Sequence, residues 1–192
     1  MRKLILVKHA APQVTPTLPA CTWRLSAAGQ QRCLPLARRL APYLPATIVS
    51  SREPKAAETA ALVAAHLRTP WGLSEGLHEH DRAHIGYLTR EHFINAVCTF
   101  FSHPDELCFG RETAHQARRR FDTAVGQILR GTPAGNVIVI AHGTVIALFV
   151  AYYTGLPALP LWQRLGLPSF VVLTLPGFGL AEVVEDVAGA LC

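Results

Sequence analysis

Residues 136–153 read NVIVIAHGTVIALFVAYY, and this stretch decides the fold class. Asn136 to Ala141 is typical of a strand buried on both faces, and Thr144 to Tyr153 is typical of a helix that follows it. His142 and Gly143 form the turn between the two. The apolar window is shorter than the roughly 20 residues that a membrane span needs. It therefore predicts a buried strand, a turn and a helix.

The rest of the chain repeats this alternation of short strands and helices. Further strands are predicted at Lys3–Val7, Thr47–Ser50, Ser169–Leu175 and Leu180–Val187. Helices are predicted at 26–44 with a kink at Pro35, at 55–67, at 89–101 and after a capping box at Thr113 and Gln116. Residues 71–90 are expected to be irregular. This order predicts an α/β fold, a three-layer α/β/α sandwich whose central sheet is mostly parallel with helices on both faces.

Length and composition agree with a globular α/β protein. The chain has 192 residues, of which 50% are hydrophobic and 16% charged. This balance supplies a large core and excludes disorder and coiled coil. We expect one domain over residues 1–192, with an insertion around 71–112 that covers a site.

The charge of the chain favours an anionic partner. The net charge is +5 and the pI is about 9.2. The one dense basic cluster, Arg118 to Arg120, is expected to form a solvated helix face, so nucleic-acid binding is not predicted.

The cysteines and the N-terminal residues indicate the cellular compartment. The five cysteines contain no C-x-x-C pair, which favours reduced, mostly buried thiols. The apolar run Leu4 to Val7 is interrupted by Lys8 and is too short for a signal peptide. A cytoplasmic location without membrane attachment is therefore expected.

Polar residues that could take part in catalysis lie at the ends of the predicted strands. Lys8 and His9 follow the first strand, and His142 follows the strand at 136–141. A lone histidine there is more often a hydrogen-bonded residue that closes a strand, but a matched pair favours one shared pocket. Ser50 and Ser51 end the second strand, and Lys55 lies one turn into the next helix, where its ammonium would add positive charge.

These residues occur in five motifs that together resemble a known family. The motifs are Val7-Lys8-His9-Ala10, Ser50-Ser51-x3-Lys55-Ala56-x2-Thr59-Ala60, Leu77-x-Glu79, Gly110-x-Glu112-Thr113 and Ala141-His142-Gly143. In their order and spacing they are similar to the histidine phosphatase superfamily, in its phosphoglycerate-mutase-like branch.

The resemblance implies a metal-independent phosphatase that hydrolyses a small phosphomonoester and needs no cofactor. His9 would attack phosphorus and form a phosphohistidine, His142 would donate a hydrogen bond to the transferring group, and Glu79 would be the acid. It also implies phosphate-binding roles for Lys8, Lys55 and Gly143.

The sequence departs from the family pattern at several of these positions. Lys8 and Lys55 stand where the family usually has arginine, Ala10 replaces glycine, and Pro12 replaces threonine. Lysine keeps the charge but loses the planar fork that binds phosphate at two points. Arg24, Arg52 and Arg82 are therefore candidates to replace the missing forks and to contact substrate.

The sequence is also compatible with other kinds of protein. His78, Glu79, His80, Asp81 and His84 form a cluster of metal-capable side chains, although their spacing argues against a metallohydrolase. A mutase-type phosphotransferase and a catalytically silent phosphate-binding protein are two further alternatives. Lys8 and Lys55 support the silent protein, whereas the presence of His9, Glu79 and His142 together argues against it. The apolar stretch Thr154 to Pro168 fits either a homodimer surface or a packed loop.

Overall fold

The computed structural model describes residues 1–187, in which six strands form one sheet. The strands are β1 (Lys3–Lys8), β2 (Ala46–Ser51), β3 (Trp71–Ser74), β4 (Asn136–Ala141), β5 (Ser169–Thr174) and β6 (Gly179–Val184), in the order β3-β2-β4-β1-β5-β6. The contacts among β3, β2, β4 and β1 are parallel, and β5 runs antiparallel to both of its neighbours. The mostly parallel sheet agrees with the prediction.

Helices cover both faces of the sheet. They are α1 (Ala27–Gln31), α2 (Cys33–Leu40), α3 (Pro54–Leu67), α4 (Arg90–Ser102), α5 (Ala114–Gly131), α6 (Gly143–Thr154) and α7 (Ala158–Arg164). Alternate residues of β1 enter different cores: Leu4 and Leu6 pack with α4 to α7, whereas Ile5 and Val7 pack with α2 and α3. The two cores on opposite faces make the three layers expected from the sequence.

Helix signals in the sequence mark most of the boundaries. The Ser26 hydroxyl accepts a hydrogen bond from the Gly29 N–H at the start of α1, and Thr113 and Gln116 form the predicted capping box of α5. The predicted kink is a break at Arg32 between α1 and α2, because Pro35 has no N–H to donate to the carbonyl of Gln31. Leu44, predicted to extend this helix, lies beyond its end.

Two segments differ from the prediction. Residues 71–90 are not wholly irregular, since β3 pairs in parallel with β2 at the edge of the sheet. A four-residue strand is too short to give a clear period, and the sequence therefore missed it. Within residues 154–168, α7 was also missed. Its Leu161 is buried in the core, so part of this stretch is packed inside the chain.

The basic cluster on α5 is not a solvated face, and that expectation was wrong. Arg118 stacks on Tyr152, with its guanidinium carbon 3.9 Å from the ring centroid, and Arg120 is partly buried against residues 76–79. Arg119 alone of the three is exposed. Sequence spacing places the three residues on a helix but does not show which loop packs on it.

No helix within residues 1–187 has the length and apolarity to span a membrane. In the same range, Cys21, Cys33, Cys98 and Cys108 are free thiols, of which Cys33 is buried and Cys108 exposed. Cys192 lies outside the described residues.

Candidate active site

Parallel pairing of β1 with β4 brings His9 and His142 together. Lys8 is the register partner of Ala141, and the next residue of each strand is a histidine. The two ring centroids are 5.1 Å apart at an interplanar angle of 62°. His9 is 6% exposed and lines a cavity of about 790 Å³, whereas His142 is 0% exposed and lies outside the cavity lining. The histidines are neighbours, but His9 alone of the two faces the cavity.

The ring of His9 is held as one neutral tautomer. Its Nδ1 lies 2.7 Å from the carbonyl oxygen of Ala10, which can only accept, so Nδ1 carries the proton. Burial lowers the pKa of His9 well below its usual value, and the charges of His142, Lys55 and Lys8 lower it further against the raising effect of the Ala10 hydrogen bond. At neutral pH, Nε2 therefore has a free lone pair.

His142 is tied to the end of β2. Its Nε2 lies 2.9 Å from the Ser51 hydroxyl, and this hydroxyl accepts a hydrogen bond from the Glu53 N–H. Burial first, and then Lys55, lower the pKa of His142 well below its usual value, so its 3.7 Å approach to Glu53 is not an ion pair at neutral pH. Its buried Nδ1 has no hydrogen-bond partner among residues 1–187.

Glu53 is a site residue that the sequence analysis missed. It is 9% exposed, forms an ion pair with Lys55 and accepts the Glu79 N–H at 2.8 Å. The Lys55 ammonium also donates to the carbonyl oxygen of Ala20 at 2.7 Å. The signal that could have revealed Glu53 is an acidic residue just before Pro54, at the N-cap of the helix that carries Lys55.

Glu79 stands at the N-terminus of α6. One carboxylate oxygen accepts the His80 N–H at 2.9 Å, and the other accepts the Thr144 N–H at 3.2 Å. Burial would raise the pKa of this carboxyl, but His142, Arg82 and the His80 hydrogen bond outweigh that effect, and the pKa lies below its usual value. Glu79 is therefore ionised at neutral pH. Its carboxylate lies at the N-terminus of α6, where backbone N–H groups favour a bound anion.

Lys8 and Gly143 pack on each other. The Lys8 ammonium donates to the carbonyl oxygen of Leu165 at 2.6 Å. A Cβ placed on Gly143 would lie 3.0 Å from Cε and 3.2 Å from Nζ of Lys8, so the glycine makes room for the lysine. Burial lowers the pKa of Lys8 to about 8, although Glu79 opposes the shift. Neither residue lines the cavity in the structure.

The three candidate arginines lie in different surroundings. Arg24 pairs with Glu58 and Arg52 pairs with Glu75, and both are exposed and outside the cavity lining. Arg82 lines the cavity with its guanidinium carbon 4.5 Å from the centroid of Phe93. Of the three, the structure brings Arg82 to the site.

The segment that carries Glu79 is fastened to α5. Arg120 donates to the carbonyl oxygens of Gly76, His78 and Glu79 at 2.8, 2.9 and 3.2 Å. It also pairs with Glu112, whose carboxylate accepts the Asp81 N–H. Glu112, in the fourth of the sequence motifs, thus helps to hold the Glu79 segment in place.

The cluster at residues 78–84 does not converge in the way that a metal requires. Within residues 1–187, no group of three or more histidine, cysteine or acidic side chains has a geometry that could hold a metal ion. His80 instead packs between Phe100 and Phe109, with ring centroids 4.1 and 5.3 Å away.

A neutral histidine, a carboxylate and cations thus meet at the carboxyl ends of the strands, which is where α/β sheets of this kind bind their ligands. A family model described as "Histidine phosphatase superfamily (branch 1)" matches residues 4–180, and the chain belongs to this family. No curated protein matches the chain.

Solved structures share the fold at low sequence identity. A mutant phosphoserine phosphatase from Entamoeba histolytica in complex with phosphoserine has a TM-score of 0.80 and 16% identity, with 100% of each chain covered. A mycobacterial glucosyl-3-phosphoglycerate phosphatase in complex with VO3 has a TM-score of 0.75 and 19% identity, with 91% of each chain covered. YhfR from Bacillus stearothermophilus has a TM-score of 0.76 and 22% identity, with 96% of each chain covered.

Proposed function

We propose that this protein is a metal-independent phosphatase that hydrolyses a small phosphomonoester through a phosphohistidine on His9. The observation that carries the proposal is the tautomer of His9: Nδ1–H donates a hydrogen bond to the Ala10 carbonyl, which leaves Nε2 unprotonated as a nucleophile on a residue of the cavity wall. Phosphoserine and vanadate in the neighbouring structures support a phosphoryl ligand of this kind.

In the first step, Nε2 of His9 attacks phosphorus while the bond to the leaving oxygen breaks. Glu79 donates the proton that this oxygen takes up. Glu79 is ionised in the free site, but a bound phosphoryl dianion raises its pKa by like-charge repulsion. Glu79 therefore takes up a proton from solvent when the substrate binds. We assign to the unpaired Nδ1 of His142 the donation of a hydrogen bond to the transferring oxygens. Because His142 is buried outside the cavity lining, this role requires the side chains beside His9 to move when the phosphoryl group binds.

In the second step, Glu79 takes a proton from water, the water oxygen attacks phosphorus, and the bond to His9 breaks to release phosphate. Lys55 and Arg82 compensate the charge of the phosphoryl group. We assign Lys8 an electrostatic role, since its ammonium donates to Leu165, and Gly143 the role of admitting the Lys8 side chain.

The test is turnover of p-nitrophenyl phosphate in excess chelator, together with phosphoenzyme trapping. We expect turnover and a base-stable, acid-labile phosphate on the wild type, and neither on His9→Ala. His92→Ala is the matched control, because His92 is exposed on α4 and outside the cavity lining. Loss of activity with chelator and recovery with a metal would contradict the proposal.

Two competing functions give different results in the same experiment. A silent phosphate-binding protein would show neither labelling nor turnover, and its support is that lysines stand at positions 8 and 55, where the family usually has arginine. A phosphotransferase would show a stable phosphoenzyme that transfers its phosphoryl group to an added alcohol in preference to water.

A further inference from the structure

The cavity beside His9 is much larger than a phosphoryl group needs. Its volume is about 790 Å³, which is within the range of pockets that enclose whole drug-sized ligands. The remainder is space available to the part of the substrate that leaves with the ester oxygen. The chemistry of the cavity wall therefore indicates the chemistry of the leaving alcohol.

Two separate segments supply an apolar wall. Residues 12–23, after β1, and residues 85–93, which run into α4, face the same space. The large apolar lining residues include Val14, Leu18 and Trp23 from the first segment and Ile85, Tyr87 and Phe93 from the second. Val14, Leu18 and Tyr87 are 46, 52 and 57% exposed, so large apolar side chains of both segments remain open to a ligand.

The polar edge of Trp23 is not offered to a ligand. Its indole N–H donates to the carbonyl oxygens of Thr15 and Leu18, at 3.0 and 3.1 Å. The loop thus satisfies its own donor and leaves the ring as apolar surface. This part of the wall binds hydrocarbon better than the hydroxyl, amino and carboxylate groups of a sugar or an amino acid, which would lose water here without gaining partners from the apolar side chains.

The charges of the cavity also disfavour a second anionic group on the substrate. Lys55 is paired with Glu53, and Arg82 lies over Phe93. The carboxylate-bearing residues Glu53, Glu79 and Asp81 line the same space, and the further lining cation is Arg90, exposed at the first residue of α4. Among the residues that the structure describes, three carboxylates and three cations thus line the cavity, and a carboxylate or second phosphate attached to the substrate would find no excess of positive charge there.

We propose that the substrate is the phosphate monoester of a bulky, uncharged and largely apolar alcohol, whose hydrocarbon part packs between residues 12–23 and 85–93. This inference rests on the proposed phosphatase function and deepens it. It sets this site apart from one built for a phosphorylated amino acid or a phosphorylated sugar acid.

The test compares primary alcohol phosphates, so that the leaving groups have similar intrinsic reactivity. We expect kcat/KM for n-hexyl phosphate to exceed that for ethyl phosphate by at least tenfold, because several methylenes enter the apolar wall. Phosphoserine and 3-phosphoglycerate should be poorer substrates than hexyl phosphate. A hexyl to ethyl ratio near one, or a preference for either charged ester, would overturn the inference and leave the phosphatase proposal standing.

Substitutions in residues 12–23 and 85–93 test whether these segments cause the preference for hexyl phosphate. Leu18→Ser and Tyr87→Ser should each lower the hexyl to ethyl ratio at least threefold. Leu107→Ser is the matched control, because Leu107 is 63% exposed and lies outside the cavity lining, and the ratio should not change. An equal fall in the ratio for the control would contradict the assignment of the wall.

A binding measurement separates this inference from the phosphatase proposal. Isothermal titration of the wild-type protein with n-hexylphosphonate and ethylphosphonate requires no turnover. Tighter binding of hexylphosphonate by tenfold or more supports the apolar site even if no ester is hydrolysed, an outcome that would refute the catalytic proposal alone. Equal binding of both phosphonates overturns the inference.

Discussion

Breaking the buried ion pair between Glu53 and Lys55 should destabilise the fold strongly. The two side chains are 10% and 7% exposed, so Glu53→Gln leaves an ammonium without its charge partner in a nearly dry site. Two unit charges about 3 Å apart attract by roughly 5 kcal/mol at an effective dielectric constant of about 20. Removing one partner of such a pair typically costs about 3–5 kcal/mol, and this is the loss of unfolding free energy that we expect.

Urea unfolding of a double-mutant cycle measures the effect. Glu53→Met and Lys55→Met should each lower the unfolding free energy by about 3–5 kcal/mol, whereas the double variant should be much closer to wild type, because two apolar side chains replace both charges. Arg52→Gln is the matched control, since the pair of Arg52 with Glu75 is exposed and contributes little.

Phosphate binding tests whether the ion pair of Glu53 with Lys55 also controls the charge of the proposed site. Glu53→Gln removes a negative charge beside Lys55, so inorganic phosphate should bind more tightly and raise the unfolding midpoint of the variant more than that of the wild type. The reasoning fails if either single substitution costs less than about 1 kcal/mol, or if the double variant loses the sum of the two single losses.

Three further predictions concern the neighbouring groups. Because burial keeps the pKa of His9 and of His142 well below 6.5, their ring NMR resonances should not titrate between pH 8 and 6.5, and stability should fall below pH 6.5 as the unfolded chain takes up protons first. The pKa of Glu79 is lowered, so the stability that its carboxylate contributes is present above pH 4.5 and is lost as the pH falls further; the urea midpoints of wild type and Glu79→Gln should converge on acidification. Gly143→Ala should push the Lys8 side chain by a few tenths of an ångström against its hydrogen bond to Leu165 and cost about 1 kcal/mol in urea unfolding, and an unchanged midpoint would contradict the packing described.

Much of the fold was predictable because strong local signals agree with the tertiary structure. The apolar strand at 136–141, the cap at Ser26 and the capping box at Thr113 each act over a few residues, and the structure contains all three. β3 and α7 were missed because a four-residue strand and a seven-residue helix show too few periods to be recognised.

The site was only partly predictable because its contacts are long-range. His9 and His142 are neighbours because β1 and β4 are adjacent in the sheet. The alternation of strands and helices along the sequence limits the possible strand orders. The contact of Glu53 with the backbone of Glu79, 26 residues away, depends on how the segment after β3 folds back. For the same reason the sequence placed Arg118 to Arg120 on a helix but could not assign Arg120 to the Glu79 segment.

The lysines that replace family arginines form part of a connected arrangement. Gly143 leaves room for a narrow methylene chain, and the Lys8 ammonium at its end donates to Leu165, so a planar guanidinium at position 8 would need both neighbours to move. Lys55 is likewise fixed by Glu53 and by the Ala20 carbonyl. An arginine at either position could therefore bind phosphate with its planar guanidinium only if it no longer made the hydrogen bonds to protein acceptors that the lysine makes. Under the proposed function, these lysines would attract a phosphoryl group through their charge rather than through a planar fork, which is why removal of the Glu53 carboxylate beside Lys55 should tighten phosphate binding.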